Sequence, residues 1–222
     1  MPKNFHKNKY NSGMTLIELL VVVFIFMIIT SITIFSYGKF NSSLSVQNLA
    51  DDIALSIRKT QGYAIGVRGF NSFFSEGYGI HFSTNTDVSN PSSGSNGSFV
   101  LFANMGGNND DEYNYDSSPC GNPSTSNECL EVLNIKSSDK ILEFYVGTGG
   151  GKVLISNGML DIFFKRPNPE PTFCVRNGTN TSSACDYSSS VSYVEIKIKS
   201  GGTPAVYKTI TISNNGQISV SN

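Results

Sequence analysis

The sequence predicts an α+β fold: a long N-terminal helix, membrane-spanning in its first half, packed against an antiparallel β-sheet domain. Three observations predict it. Residues 13–37, GMTLIELLVVVFIFMIITSITIFSY, are apolar apart from one carboxylate, Glu18. Val46, Leu49 or Ala50, Ile53, Ile57 and Ala64 then recur at helical spacing. Beyond Phe70 the chain breaks into short alternating runs separated by Gly, Asn, Ser and Pro. Four segments follow: a basic leader over 1–13, a membrane-spanning helix over 14–37, its amphipathic continuation over 38–66, and a β-rich domain over 67–222.

The leader holds Lys3, Lys7 and Lys9 and no acid. Positive charge ahead of an apolar helix keeps that end cytoplasmic and places the rest outside the inner membrane. From Met14 to Phe35, at 1.5 Å per residue, a helix reaches about 33 Å, enough to cross a bilayer core. At that depth the backbone must close its own hydrogen bonds, which leaves helix as the structure. A secretory signal peptide fits less well, because FSYGKFNSS after the run offers no small-residue cleavage site. A plain anchor leaves Glu18 unexplained, since ionisable groups in membranes are costly.

Gly13-Met14-Thr15-Leu16-Ile17-Glu18-Leu19-Leu20, after that basic leader, resembles the prepilin processing site of type IV pilins and of type II secretion pseudopilins. The resemblance implies a pilin-like fold and cleavage after Gly13 by a membrane-bound prepilin peptidase. It also implies methylation of the new N-terminus at Met14, and a role for Glu18, then the fifth residue, in assembly with other pilin or pseudopilin subunits. The implied location is the inner membrane, single-pass, with the globular domain outside, and then an extracellular or periplasmic filament. A cationic amine at Met14 and the Glu18 carboxylate suit a charge-assisted bond. That bond could join neighbouring subunits and set register. Glu18 pairing with its own amine, or lying at headgroup level, are the alternatives.

The helix continues beyond the apolar run to about Gly66, with Gly38 a candidate kink and Gln47, Asp51, Arg58 and Gln61 on the face opposite the stripe. Leu49-Ala50-Asp51-Asp52-Ile53-Ala54-Leu55, Arg58-Lys59-Thr60-Gln61, Ala64-Ile65 and Arg68-Gly69 resemble the H-type (GspH/FimT-like) branch of minor pseudopilins and pilins. Thr60 and Gly62 depart from that branch's pattern.

Strands are expected over 78–82, 98–103, 131–135, 141–146, 152–155, 160–164, 192–199, 205–212 and 217–220. SYVEIKIK alternates strictly, and Gly201-Gly202 turns into the next run as a hairpin. The closing ITISNNGQISV also resembles the H-type branch. Thr84 to Gly97, rich in Ser, Asn and Gly, reads as a mobile tip. Pro167-Asn168-Pro169-Glu170-Pro171 reads as a stiff connector.

Four cysteines lie in the exported part. Cys120 and Cys129 flank one turn-rich loop, and Cys174 and Cys185 flank another, which favours the two local disulfides among three pairings. Zinc is disfavoured, because no Cys-x-x-Cys spacing or neighbouring His accompanies them. Asp110, Asp111, Glu112 and Asp116 form an acidic run with weak calcium potential, but without the ligand frame of an EF-hand. A solvated acidic loop is the plainer reading, and no cofactor is otherwise implied.

The composition excludes other classes. The leader carries three of the 16 Lys and Arg residues, which leaves 13 basic against 17 acidic side chains beyond it. Nucleic acid is therefore a disfavoured partner, and no Lys or Arg follows Lys208. A minor pilin of the DNA-uptake type and an uncleaved anchored surface protein remain the alternatives to a structural filament subunit. No catalytic constellation is apparent, so the chain does not read as an enzyme. His81 is expected to face outward from its strand, with no Gly-x-Ser-x-Gly elbow beside it. The GTGGGK run at 147–152 lacks the phosphate-loop frame and reads as a turn between strands.

Overall fold

A computed structural model describes residues 13–66, 69, 75–87, 89–105, 112–116, 118–121, 123–124, 127–178, 185–187 and 191–222. The chain divides into two compact units, Met1–Gly38 and Lys39–Asn222.

One helix, α1, runs Leu16–Ile65. In the first unit its side chains are exposed all round, from Leu16 to Phe35 and Tyr37. An 18-residue window there has a mean hydropathy of 2.8, with none of it buried. Two hydroxyls in this stretch are satisfied within the helix. Thr30 Oγ1 donates to the Phe26 carbonyl at 2.8 Å and Thr33 Oγ1 to that of Ile29 at 3.0 Å. Such back-bonding lets a polar side chain sit in an apolar helix without an outside partner. The membrane-spanning expectation rests on this stretch.

In the second unit α1 buries the expected stripe: Val46, Leu49, Ala50, Ile53, Ile57 and Ala64, with Ser42 and Thr60. The opposite face stays wet, and Gln47 bonds Asp51 there. Ten strands follow: β1 (Gly77–Ser83), β2 (Ser98–Asn104), β3 (Cys129–Asn134), β4 (Lys140–Thr148), β5 (Gly151–Ile155), β6 (Gly158–Lys165), β7 (Pro171–Asn177), β8 (Val191–Lys199), β9 (Tyr207–Ser213) and β10 (Ile218–Ser221). They form two antiparallel sheets rather than one, in the orders β3-β2-β1-β6-β7 and β10-β9-β8-β4-β5.

One core joins the α1 stripe to one face of each sheet. Tyr78, Ile80, Phe82, Leu160 and Ile162 come from the first sheet, and Phe144, Val146, Val194, Ile196 and Ile210 from the second. Full burial of such a side chain contributes about 1.5–3 kcal/mol. The 147–152 glycines make the β4–β5 hairpin, with Gly151 at φ +124° opening β5.

Three expectations on the globular unit are corrected here. The 167–171 segment is not only a connector, because Pro171 opens strand β7, paired with β6. Proline is tolerated at the first position of a strand, and β7 is an edge. The 84–97 stretch is not a bare tip. It contains a 3-10 turn, Pro91–Ser93, capped by the Asn90 side chain, which accepts from the Ser92 N–H, and Ser92 is buried. His81 does not face outward either; it is fully buried. The alternation held, but the second face of the first sheet is covered too. Val100, Phe102, Phe163, Cys129 and Tyr113 form a second, smaller core there. Gly79 is small for this reason: a Cβ at that position would lie 2.1 Å from the Phe102 ring.

Candidate processing and assembly site

The N-terminus of α1 is built from Thr15 and Glu18. Thr15 is the last residue before the helix, and its carbonyl accepts the first helical bond, from Leu19 N at 3.2 Å. The Glu18 carboxylate turns back and accepts from the Thr15 backbone N–H and hydroxyl, both at 2.8 Å. The Glu18 N–H reaches Thr15 Oγ1 at 3.4 Å. This is a capping box: Ser or Thr at the cap, Glu three residues on, each satisfying the other's orphan donor. A carboxylate in the first turn also suits the positive end of the helix dipole. Sequence reading considered only an amine or the headgroup level for Glu18, although the Thr-x-x-Glu spacing was there to be read.

Met14 is exposed, as are its neighbours. At Gly13 a Cβ would meet nothing within 4 Å, and the residue has no left-handed φ. Nothing in this chain's own packing calls for glycine there. Leader residues 1–12 lie outside the described residues.

The comparisons bear on this site. Residues 8–34 match the family model described as the prokaryotic N-terminal methylation motif. The chain carries a prepilin-type N-terminus. Together with the apolar helix, that prepilin-type motif supports a type IV pilin-like protein, processed and anchored in a membrane. No curated protein and no solved structure matches the chain.

The remaining site candidates lie in the globular unit. Cys120 is bonded to Cys129 and Cys174 to Cys185, with Cα separations of 4.8 and 5.2 Å. Asp110 and Asp111 lie outside the described residues. Asp116 accepts from the Ser118 N–H at 2.6 Å, in a local turn. Glu112 instead faces Arg176, Oε2 to Nη1 at 3.4 Å, and the Cys185 sulfur at 2.9 Å. Glu112, Cys174 and Cys185 bring three ligand-type atoms together. However, both sulfurs are spent in the disulfide, so neither offers a thiolate to a metal.

Sequence reasoning missed the group that organises this region. In the first sheet His81 stands directly opposite Asp161, and Asp161 opposite Cys174. All three are fully or nearly fully buried, as is Arg176. His81 Nδ1 and Arg176 Nη2 both bond the Asp161 carboxylate at 2.5 Å, and the Tyr113 N–H donates to it at 3.3 Å. His81 Nε2 faces the Ser93 carbonyl at 3.1 Å. Tyr113 donates its hydroxyl to the Ser92 carbonyl at 2.8 Å, and burial pushes that phenol far above its usual range. Both ring nitrogens of His81 therefore face acceptors, with no hydroxyl in line for activation. The arrangement holds the 90–93 turn and the 112–113 segment against the sheet. The signal was available: His81, Asp161 and Arg176 each interrupt a strand that is otherwise apolar on both faces.

Proposed function

We propose that this chain is a structural subunit, a minor pilin or pseudopilin, of a type IV pilus or type II secretion pseudopilus. The prepilin peptidase cuts after Gly13 on the cytoplasmic side and methylates Met14. The apolar half of α1 first anchors the chain in the inner membrane and then packs between related subunits. The Lys39–Asn222 unit is displayed outside. The H-type branch is the assignment within this class.

The observation that carries the reading is the pairing of a prepilin-type motif with a capped, wholly exposed apolar helix whose first turn holds Glu18. Gly13 supports it, because a glycine that its own fold does not require fits a demand made by another protein, such as a peptidase pressing on the backbone. Intact mass of the protein extracted from membranes tests it. The expected species lacks residues 1–13 and carries one added methyl group. A full-length mass in cells with an active prepilin peptidase overturns the proposal.

A further inference from the structure

A recess of about 490 Å³ lies between the start of β4, the end of β8 and the turn that follows it. Lys140, Lys199, Ser138, Gly201, Gly202 and Thr203 line it, and no carboxylate does. Lys140 and Lys199 are direct partners across β4 and β8, and both are exposed. Like charges placed directly opposite destabilise a sheet. Among the described residues neither lysine has an ion-pair partner. The other two lysines of this face do: Lys152 bonds Glu195 at 2.6 Å and Lys197 bonds Glu143 at 2.8 Å.

The one acid beside this pair in the chain, Asp139, is buried and committed elsewhere. It accepts from the Ser45 and Ser137 hydroxyls at 2.6 and 2.7 Å and from the Gly201 N–H at 2.9 Å. The wall is backbone. A Cβ at Gly201 would lie 2.0 Å from Ser138 Oγ, and one at Gly202 would lie 2.1 Å from Ser42 Oγ of α1. Two uncompensated cations at the mouth of a polar recess suit one small anion.

We propose that this recess binds the phosphate of an anionic phospholipid headgroup. Lysine binds phosphate as a point charge, so two lysines can share one phosphodiester without a fixed fork geometry. The source is set by the length of chain. Ser42, which the Gly202 wall touches, follows Phe35 by only seven residues. Seven residues span at most about 25 Å even fully extended. The recess is thus tethered within headgroup reach of the point where the apolar run ends, and phosphodiesters are densest there. The inference rests on the membrane-anchoring part of the proposed function and not on filament assembly.

The test uses the full chain in neutral maltoside micelles and isothermal titration calorimetry. The probes are dihexanoyl phosphatidylglycerol, dihexanoyl phosphatidylcholine, inorganic phosphate and a single-stranded oligonucleotide. The phosphatidylglycerol should bind at least tenfold more tightly than the phosphatidylcholine or free phosphate. The Lys140→Gln/Lys199→Gln variant should lose at least tenfold of that affinity, while its Tm without lipid rises because the repulsion is gone. Equal affinity for the two lipids, or affinity unchanged in the variant, overturns the proposal. Free phosphate binding as tightly as phosphatidylglycerol removes the lipid. An oligonucleotide binding more tightly through the same lysines replaces it with nucleic acid. None of these readings depends on leader cleavage, so this proposal and the processing one fail separately.

Discussion

Asp161 takes hydrogen bonds from His81, from Arg176 and from the Tyr113 backbone, all inside the protein. Removing it strands two buried donors at once. Breaking a buried pair from one side costs about 3–5 kcal/mol. Asp161→Ala should lower the stability of the globular unit by that amount in urea denaturation, whereas Asp186→Ala, at an exposed position, should cost far less. Glu18 presents a different case at this scale. Glutamine can also close a capping box, so Glu18→Gln retains the cap and removes only the charge. It should leave helicity and membrane insertion intact while abolishing incorporation into filaments. Thr15→Ala should do the reverse, costing about 0.5–2 kcal/mol of helix N-terminal stability but sparing assembly. Circular dichroism in micelles and cross-linking in cells separate the two.

Among the elements, α1 carries the clearest contrast. Ile53 lies within the shared core, while Leu55, two residues on, is 63% exposed. Ile53→Ala should cost about 2–5 kcal/mol by transfer and cavity terms, and Leu55→Ala should stay within about 0.5 kcal/mol. The outward face of the second sheet gives a pH signature. Burial raises the Glu143 carboxyl, but hydrogen bonds from Lys197 and Tyr145 outweigh it and hold the group below its ordinary value of 4.5. The stabilisation this supplies is complete above that ordinary value and fades as acid drives the pH down through the folded one. Glu143→Gln should therefore flatten the acid limb of a Tm-against-pH curve, and added salt should shrink the difference.

Elements were legible where one period dominated. The α1 stripe, SYVEIKIK and the glycine turns each announced their structure, because a single buried face imposed the pattern. β7 was not legible, because PTFCVRN opens on proline and carries cysteine, both of which read as loop. His81 failed for a different reason. Alternation tells which residues share a face, but not whether that face meets water, and here the 90–93 turn and the 112–113 segment cover it. The processing motif was readable from residue order alone, since a peptidase recognises local sequence. The recess at Lys140 and Lys199 was not, because only strand pairing sets those residues side by side.

At the scale of the whole molecule, the two cross-links have a consequence for how the exported unit is made. Each closes a ring of 9 or 11 residues, and short rings cost the least entropy to close. The chain crosses the membrane with its N-terminus first fixed, so Cys120 meets Cys129 in the oxidising compartment before Cys174 has emerged. Wrong partners are then scarce at each moment of emergence. The correct bonds should form rapidly in a glutathione redox buffer without help from an isomerase, with mispaired species rare on non-reducing gels.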